Sequence, residues 1–478
     1  MPLIFDNQFA NKFPELCHAQ KIRPDGQAKL RWVNDALWKS LSHDSPPKEL
    51  ADWIAGNRDW LGTEPVAQKY AGHQFGHFNP YLGDGRGLLV GQVKTANERY
   101  DLHVKGAGPT PYSRGGDGRA VLRSSIRELL ASEAFQALGI PTTRALALVS
   151  TEGRIQRETI EPGAMLVRVA RTHIRFGHFE HCLYRNLEDS AKRLWQHSIE
   201  ELWPSAADKT VSEQFRYVVN ATAEMIAKWQ AYGFVHGVMN TDNMSLAGET
   251  FDYGPYAFFD AYKPNHIFNH TDHAGRYGFM QQPGVGLWNL KRLAHALGLF
   301  AGDAPVDDVL DDYEPVLRQE FLKVMKQRLG LTHVDDDDDT CWSLISGWLM
   351  LLETYQLDYN LSYRALGALF DNDSQALNSS LEKTATEIKS KGQSWLSDYS
   401  KAVANKPDTA TMQQVNPLVI LRTHHAQYVI EQAEQGDDKP LTDYVSALMT
   451  PFDETHNNTR WVLPPEPGQA PAELSCSS

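Results

Sequence analysis

Cysteine is scarce, with four in 478 residues (Cys17, Cys182, Cys341 and Cys476), far apart and with no CxxC pair. Neither a disulfide framework nor a zinc site of the closely spaced kind is indicated. Nowhere do eighteen apolar residues run together, so no transmembrane helix is expected. Met1 to Phe13 has neither a basic stretch leading into an apolar run nor an Arg-rich, acid-poor presequence. A soluble chain that stays in the cytoplasm is the expectation. Positive charge is also in deficit, since 46 Lys and Arg against 60 Asp and Glu leave a formal charge of −14. Neutralising a polyanion needs a cationic surplus, so nucleic acid and membrane are not expected partners.

What is present is a globular composition. At 42% hydrophobic and 22% charged residues, the chain can fill two or more cores. The first sixty residues hold short amphipathic stretches such as Trp32 to Leu41, with no recognisable chemistry. Tyr70-Ala-Gly-His-Gln-Phe-Gly-His77 spaces two histidines four apart, as metal ligands on a helix would be. The flanking glycines weaken that helix and the glutamate of HExxH is missing, so packing or loop histidines are the better reading.

The informative region begins at Gly83-Asp-Gly-Arg-Gly87, followed by a strand (Leu88 to Val93), a polar turn and a second strand, Tyr100 to Lys105. Glycines let backbone N–H groups approach phosphate oxygens, and Arg86 adds a charged fork. Such a turn is by itself more often a plain hairpin. Lys105 changes the weighting, because it ends an otherwise apolar strand where a solvated lysine has no reason to be favoured. A Gly- and Pro-rich insertion (Gly106 to Gly118) then leads to a helix from Ala120 to about Leu138, the place where kinases hold a glutamate against the strand lysine. Glu128 and Glu133 are both available, and periodicity does not choose between them. From Arg86 to Arg127 there are eight Lys and Arg against three Asp and Glu, an island suited to a polyphosphate or to a solvated helix face.

Strand-like runs follow at Thr143 to Ser150, Arg154 to Thr159 and Ala164 to Ala170, completing a small sheet, with Arg168 and Arg175 near its end. From Leu183 to Gly436 the pattern is helical, including Leu287 to Ala294, Trp342 to Leu352 and His424 to Ala433. Asp335 to Asp339 reads as a solvated loop, since a calcium-binding loop needs spacing and a glycine that it lacks. Within the helical part, apolar spacing from Val218 to Ala231 ends at Gly233, and His236-Gly-Val-Met-Asn-Thr-Asp-Asn-Met244 follows as a loop. Asp242 and Asn243 offer hard oxygens of the kind Mg²⁺ prefers, and Asp252 in Asp-Tyr-Gly comes after a strand-like segment, Met244 to Phe251. Kinases place a base, an asparagine and a metal-binding aspartate in this order, but with several residues between the first two. Turn formation and helix capping are equally ordinary uses of Asn240, Asp242 and Asn243.

These stretches together strongly resemble the selenoprotein O family over nearly the whole chain. The most specific are His103-Val-Lys-Gly-Ala-Gly-Pro-Thr-Pro-Tyr-Ser-Arg114, Asp117-Gly-Arg-Ala-Val-Leu-Arg-Ser-Ser-Ile-Arg-Glu128, His236 to Asn243 and the terminal Cys476-Ser-Ser478, where cysteine stands in place of selenocysteine. The resemblance implies an α+β, protein-kinase-like two-lobed fold. A β-rich N-lobe with its C-helix would span residues 1–172, a helical C-lobe 173–463 and a flexible tail 464–478. It implies transfer of AMP, or UMP, from the nucleoside triphosphate to Ser, Thr or Tyr hydroxyls of proteins, with Mg²⁺ or Mn²⁺, and ATP bound in reverse relative to kinases. A conventional phosphotransferase and a nucleotide-binding pseudokinase scaffold are the alternatives. By resemblance Lys105 meets phosphate with Glu128 as its ion-pair partner, leaving Glu133 structural. Asp242 is the base and Asn243 and Asp252 hold the metal. Gly83, Gly85, Arg86, Asp117, Gly118, Arg168 and Arg175 surround the nucleotide. Cys476, in a Pro-rich tail that cannot bury it locally, would meet a thiol-redox partner.

Overall fold

The computed structural model describes residues 3–96, 98–302, 306–334, 338–371, 378–466 and 474. The fold is mixed α and β. An eight-stranded antiparallel sheet is built from β1 (Cys17–Ala19), β2 (Ala28–Val33), β3 (Val66–Gln68), β6 (Gly87–Lys94), β7 (Arg99–Lys105), β8 (Ala120–Val121), β9 (Arg144–Gln156) and β10 (Ile160–Ala170). Its main path runs β1-β3-β6-β7-β10-β9-β2, with β8 beside β10. A separate hairpin, β4 (Gly72–Gln74) and β5 (His77–Asn79), stands apart from the sheet.

Both faces of the central strands are covered, so the polar residues that alternate along β7 (Asp101, His103 and Lys105), like Arg168 of β10, are buried instead of facing solvent. On one face Leu88, Val90, Leu102 and Val104 pack with Trp38, Leu41, Leu50 and Ile54 of the helices Asp35–Ser42 and Leu50–Ile54. On the other, Leu89, Leu148 and Leu166 meet Leu122, Ile126, Leu129 and Leu130 of the helix Leu122–Ala137. That second core continues without interruption into the helices that follow the sheet.

The segment expected as three strands after Pro141 is two long ones. β9 runs through Gly153, and the turn comes instead at Arg157 to Thr159, closed by Arg157 N donating to Thr159 O at 2.8 Å. Gly153 is a place of close approach, since a Cβ there would lie 1.9 Å from Asp25 Oδ2. Trp32 to Leu41 likewise divides, the end of β2 passing to a helix capped by Asn34. Asp338 and Asp339 open the helix Asp338–Tyr355, so the aspartate run is not loop throughout, whereas Asp335 to Asp337 lie outside the described residues.

The long helix Val211–Tyr232 organises the second half. Thr210 and Glu213 cap it reciprocally at its start, and Gly233 in the left-handed region (φ 72°) stops it. Immediately beyond, β11 (Phe234–Val235) pairs with β12 (Ala257–Phe258), tying off the chain between them as one closed excursion. Met244 to Phe251 is not a strand. Its backbone is fastened by two isolated bridges, Ser245 to Arg175 (Leu246 N to Ile174 O at 3.0 Å) and Thr250 to Thr142, and Trp229 Nε1 donates to Thr250 Oγ1 at 2.9 Å.

Candidate active site

Lys105 ends β7 with its side chain buried, and Arg168 stands on the neighbouring strand β10, also buried. Glu128, fully enclosed on the helix Leu122–Ala137, accepts from Lys105 Nζ with one oxygen and from Arg168 Nε with the other. Arg168 then reaches Asp252 Oδ1 at 2.8 Å, and Arg175 binds Asp252 Oδ2. A continuous relay of alternating charge crosses from sheet to helices. Burial acts to raise the Glu128 pKa, but Arg168 and Lys105 override it and hold the carboxyl down to about 2. Burial pulls Lys105 down to about 8 against the pull of Glu128. Asp252 is opposed by burial too, yet Arg175 and Arg168 keep it well below the usual carboxylate range.

Glu133, which periodicity left level with Glu128, does something else. Its carboxylate takes Arg144 Nε at 3.0 Å, Ala145 N at 3.0 Å and Asn34 Nδ2 at 3.0 Å, fixing the helix to β9 and to the Asn34 cap. Both glutamates are buried, so a pattern of buried positions could not separate them.

Asp242 sits in the short 3₁₀ turn Thr241–Asn243 and is only 7% exposed. Burial pushes its carboxyl up to about 7, although Arg175 draws it down. Gln74 Nε2 donates to Asp242 Oδ2 at 3.1 Å, while Oδ1 is buried with no hydrogen-bond partner among the described residues. Gly72 makes room for that aspartate, because a Cβ there would fall 2.9 Å from Oδ1. The β4–β5 hairpin is seated on the loop by His73 N to Thr241 Oγ1 at 2.7 Å and Phe75 N to Asn240 Oδ1 at 3.2 Å. Beneath it Glu180 accepts from Thr241 Oγ1 and pairs with His73 Nδ1. His73 is thus a packing histidine, and His77 is exposed.

One cavity of about 910 Å³ gathers Gly83, Gly85, Arg86, Lys105, Asp117, Gly118, Arg168, Arg175, Asp242, Asn243 and Asp252 on its walls. Glu128 lies behind that wall, under Lys105 and Arg168. The insertion after β7 is clamped over the glycine loop by Thr110 Oγ1 to Asp84 O at 2.6 Å and by Ser113 Oγ to Gly85 O. It doubles back on itself at Gly118 (φ 64°), where a Cβ would overlap the Gly108 carbonyl at 2.3 Å. Arg157 grips Asp117 with two hydrogen bonds, 2.7 and 3.0 Å, and together with Arg119 lines the same space.

Among the described residues no group of three or more His, Cys, Asp and Glu is set to hold a metal ion. Asn243, whose Nδ2 is spent on Val238 O at 3.0 Å, and Asp252 are nonetheless oxygen donors on the cavity wall. Mg²⁺ often takes one or two protein carboxylates and completes its shell from phosphates and water, so this donor set fits an ion that arrives with a triphosphate. Asp252 is held in the left-handed region (φ 58°), an uncommon conformation for a residue with a side chain.

A nucleotide-sized, cation-lined cavity facing a protonatable carboxylate is matched by relatedness. The family model described as "Protein adenylyltransferase SelO" covers residues 2–449. The chain belongs to this SelO family. It is 49% identical to a "Protein nucleotidyltransferase YdiU" of Chromohalobacter salexigens over 91% of this chain and 88% of that protein. It is 46% identical to the one of Aliivibrio salmonicida (96% and 95% covered) and 44% identical to the one of Vibrio cholerae serotype O1 (96% and 95%). As a SelO-family member it is a protein adenylyltransferase, a nucleotidyltransferase by class. Three residues at or beside the cavity were missed by sequence reasoning. Gly72 and Gln74 lie in the histidine segment weighed as a metal site against packing or loop histidines, and Arg157 fell in a run read as plain strand. The Gly-His-Gln-Phe-Gly stretch was the available signal, as two glycines around a polar residue mark a tight hairpin. Cys476 lies outside the described residues; Cys17, Cys182 and Cys341 are buried. Among the described residues no helix is long and apolar enough to cross a membrane.

Proposed function

We propose that this chain transfers AMP from ATP to Ser, Thr or Tyr hydroxyls of proteins, in a cleft between a kinase-like N-lobe (1–172) and a helical C-lobe (173–463), and that it works in the cytoplasm. The observation that carries the reading is the shared cavity. Buried cations from the sheet and carboxylates from the helical side line one space of about 910 Å³. ATP lies with its γ-phosphate against Lys105, Arg168 and Arg175, as family resemblance implies, and all three are buried cations on the cavity wall. The glycine loop (Gly83, Gly85, Arg86) and Asp117 with Gly118 line the rest of the nucleotide's path.

Asp242, with its pKa near 7, takes the proton of the acceptor hydroxyl. The freed oxygen forms a bond to the α-phosphorus as the bond from that phosphorus to the bridging oxygen breaks. Pyrophosphate leaves with the electron pair, and Lys105, Arg168 and Arg175 meet the charge that builds on it. Glu128 does not touch the nucleotide. It aims Lys105 and Arg168. A divalent ion, Mg²⁺ or Mn²⁺, would be held by Asn243 and Asp252 and would offset phosphate charge. UTP would pass through the same phosphate contacts and deliver UMP.

Incubation with α-labelled and γ-labelled ATP tests the reading. Label reaching protein from the α position and not from γ is the expected result. Transfer from γ alone would make the chain a phosphotransferase, and neither would make it a scaffold.

A further inference from the structure

A second opening, a groove of about 700 Å³, shares Phe75 with the active-site cavity and runs from it between the β4–β5 hairpin and the helix Gln282–Ala301. Phe75 follows Gln74, the residue bonded to Asp242, and its backbone N–H is bonded to Tyr277 Oη at 2.9 Å. Next to Tyr277, Arg276 lies with its guanidinium 4.5 Å from the centre of the Trp288 ring, and Arg292 approaches the same ring at 5.3 Å. The Nε atoms of both arginines are buried without hydrogen-bond partners among the described residues. His77 and His273 add two exposed imidazoles. The one carboxylate among the groove's residues, Asp272, is buried and turned inward, accepting from Arg276 N at 3.0 Å and Tyr277 N at 2.7 Å. In a chain of charge −14, this groove presents Arg276, with Arg292 near the same Trp288 ring, and aromatic side chains with no free acid to balance them.

We infer that the groove holds the acceptor polypeptide on one side of its hydroxyl, with an acidic side chain of that segment set over Trp288 beside Arg276. The inference rests on the transfer reading above and deepens it. An acceptor hydroxyl must reach Asp242, and the chain carrying it must leave the cavity somewhere. The Phe75 edge is an exit joined to the base through Gln74. A stacked arginine keeps its charge and its in-plane donors for a carboxylate, so recognition there is selective for acid over amide or amine. Apolar contact with Phe75, Val285 and Trp288 would hold the backbone of the segment, with affinity and charge selection coming from different groups.

The test uses the full chain, α-labelled ATP, and synthetic peptides carrying one hydroxyl residue in an Ala- and Gly-rich segment. Glu, Ala or Lys is placed in turn at each of the four positions on either side. Soluble extract protein serves as a bulk acceptor. At one or two positions on a single side, Glu should raise kcat/KM about tenfold over Ala, and Lys should lower it. Arg276→Ala should erase that preference, and Arg276→Glu should turn it toward Lys. The Kd for ATP should be unchanged in both variants, a combination that a loss of folding would not produce. Equal use of Glu, Ala and Lys peptides by the wild type, or an unaltered preference in Arg276→Glu, overturns the groove assignment. If extract protein is labelled without any charge preference among the peptides, the groove alone fails. If no acceptor takes α-label, the transfer reading fails and this inference falls with it.

Discussion

Replacing Asp242 with asparagine should stop transfer and make the protein more stable. The native fold keeps the Asp242 proton up to about pH 7, whereas the unfolded chain releases it near 3.9. Between those values unfolding releases a proton, so this residue's contribution to stability falls as pH rises, and above pH 7 the full penalty is present. A displacement of about three pH units corresponds to roughly 4 kcal/mol, with about 2 kcal/mol as a lower figure once local relaxation is allowed. Asparagine can keep the hydrogen bond from Gln74 through its oxygen and carries no charge. For 478 residues an unfolding entropy of about 2.1 cal/mol/K per residue makes 1 kcal/mol worth about 1 °C. Asp242→Asn should therefore raise Tm by about 2–4 °C at pH 8 and by less than half as much at pH 5. Transfer should fall by about 10²–10⁴ with ATP affinity kept, since an amide cannot take the hydroxyl proton. Matched thermal scans without nucleotide or metal, with α-label transfer alongside, measure both. A variant no more stable than wild type at pH 8, or equally favoured at pH 5 and pH 8, would refute the reasoning.

Glu128→Ala removes the one carboxylate between two buried cations and should cost about 3–5 kcal/mol, seen as a fall in Tm together with weaker ATP binding; an unchanged Tm would show that Lys105 and Arg168 need no partner. This is a larger effect than misplacement of Lys105 alone. Gln74→Ala removes a donor that favours the ionised form of Asp242, so the acid limb of kcat/KM against pH, expected near 7 in the wild type, should move to higher pH by about half a unit to one unit; no movement, or a shift to lower pH, would contradict the contact. Gly72→Ala brings a Cβ to 2.9 Å from Asp242 Oδ1 and should lower kcat about 10²-fold with ATP affinity intact, and full activity would mean that the aspartate is not held there. Burial raises Cys17 to about 11 and Cys182 to about 12, so at pH 8 both should resist alkylation in the native protein and react in denaturant, as mass spectrometry would record.

Two parts of the cavity wall stood out in the sequence because they interrupt apolar patterns, and the rest of the candidate residues were assigned by family resemblance. Lys105 closes a buried strand, and the Asp242 loop follows a helix whose end Gly233 announces. What could not be read depends on contacts between distant segments. Glu128 and Glu133 are both enclosed on one helix, and only Arg168 on one side and Arg144 on the other distinguish them. Gln74 acquires its role from a residue 168 positions away. The runs expected to end at Ser150 and restart at Arg154 are one strand, and Gly153 between them is a place where Asp25 comes close. Met244 to Phe251 has the composition of a strand but no neighbouring strand to pair with, so its backbone is satisfied by single bridges instead.

A crystal structure with a non-hydrolysable ATP analogue and Mg²⁺ tests the central claim most directly. The α-phosphorus should lie nearest Asp242, with the γ-phosphate against Lys105, Arg168 and Arg175. A γ-phosphorus facing Asp242, or a nucleotide bound outside this cavity, would contradict the account.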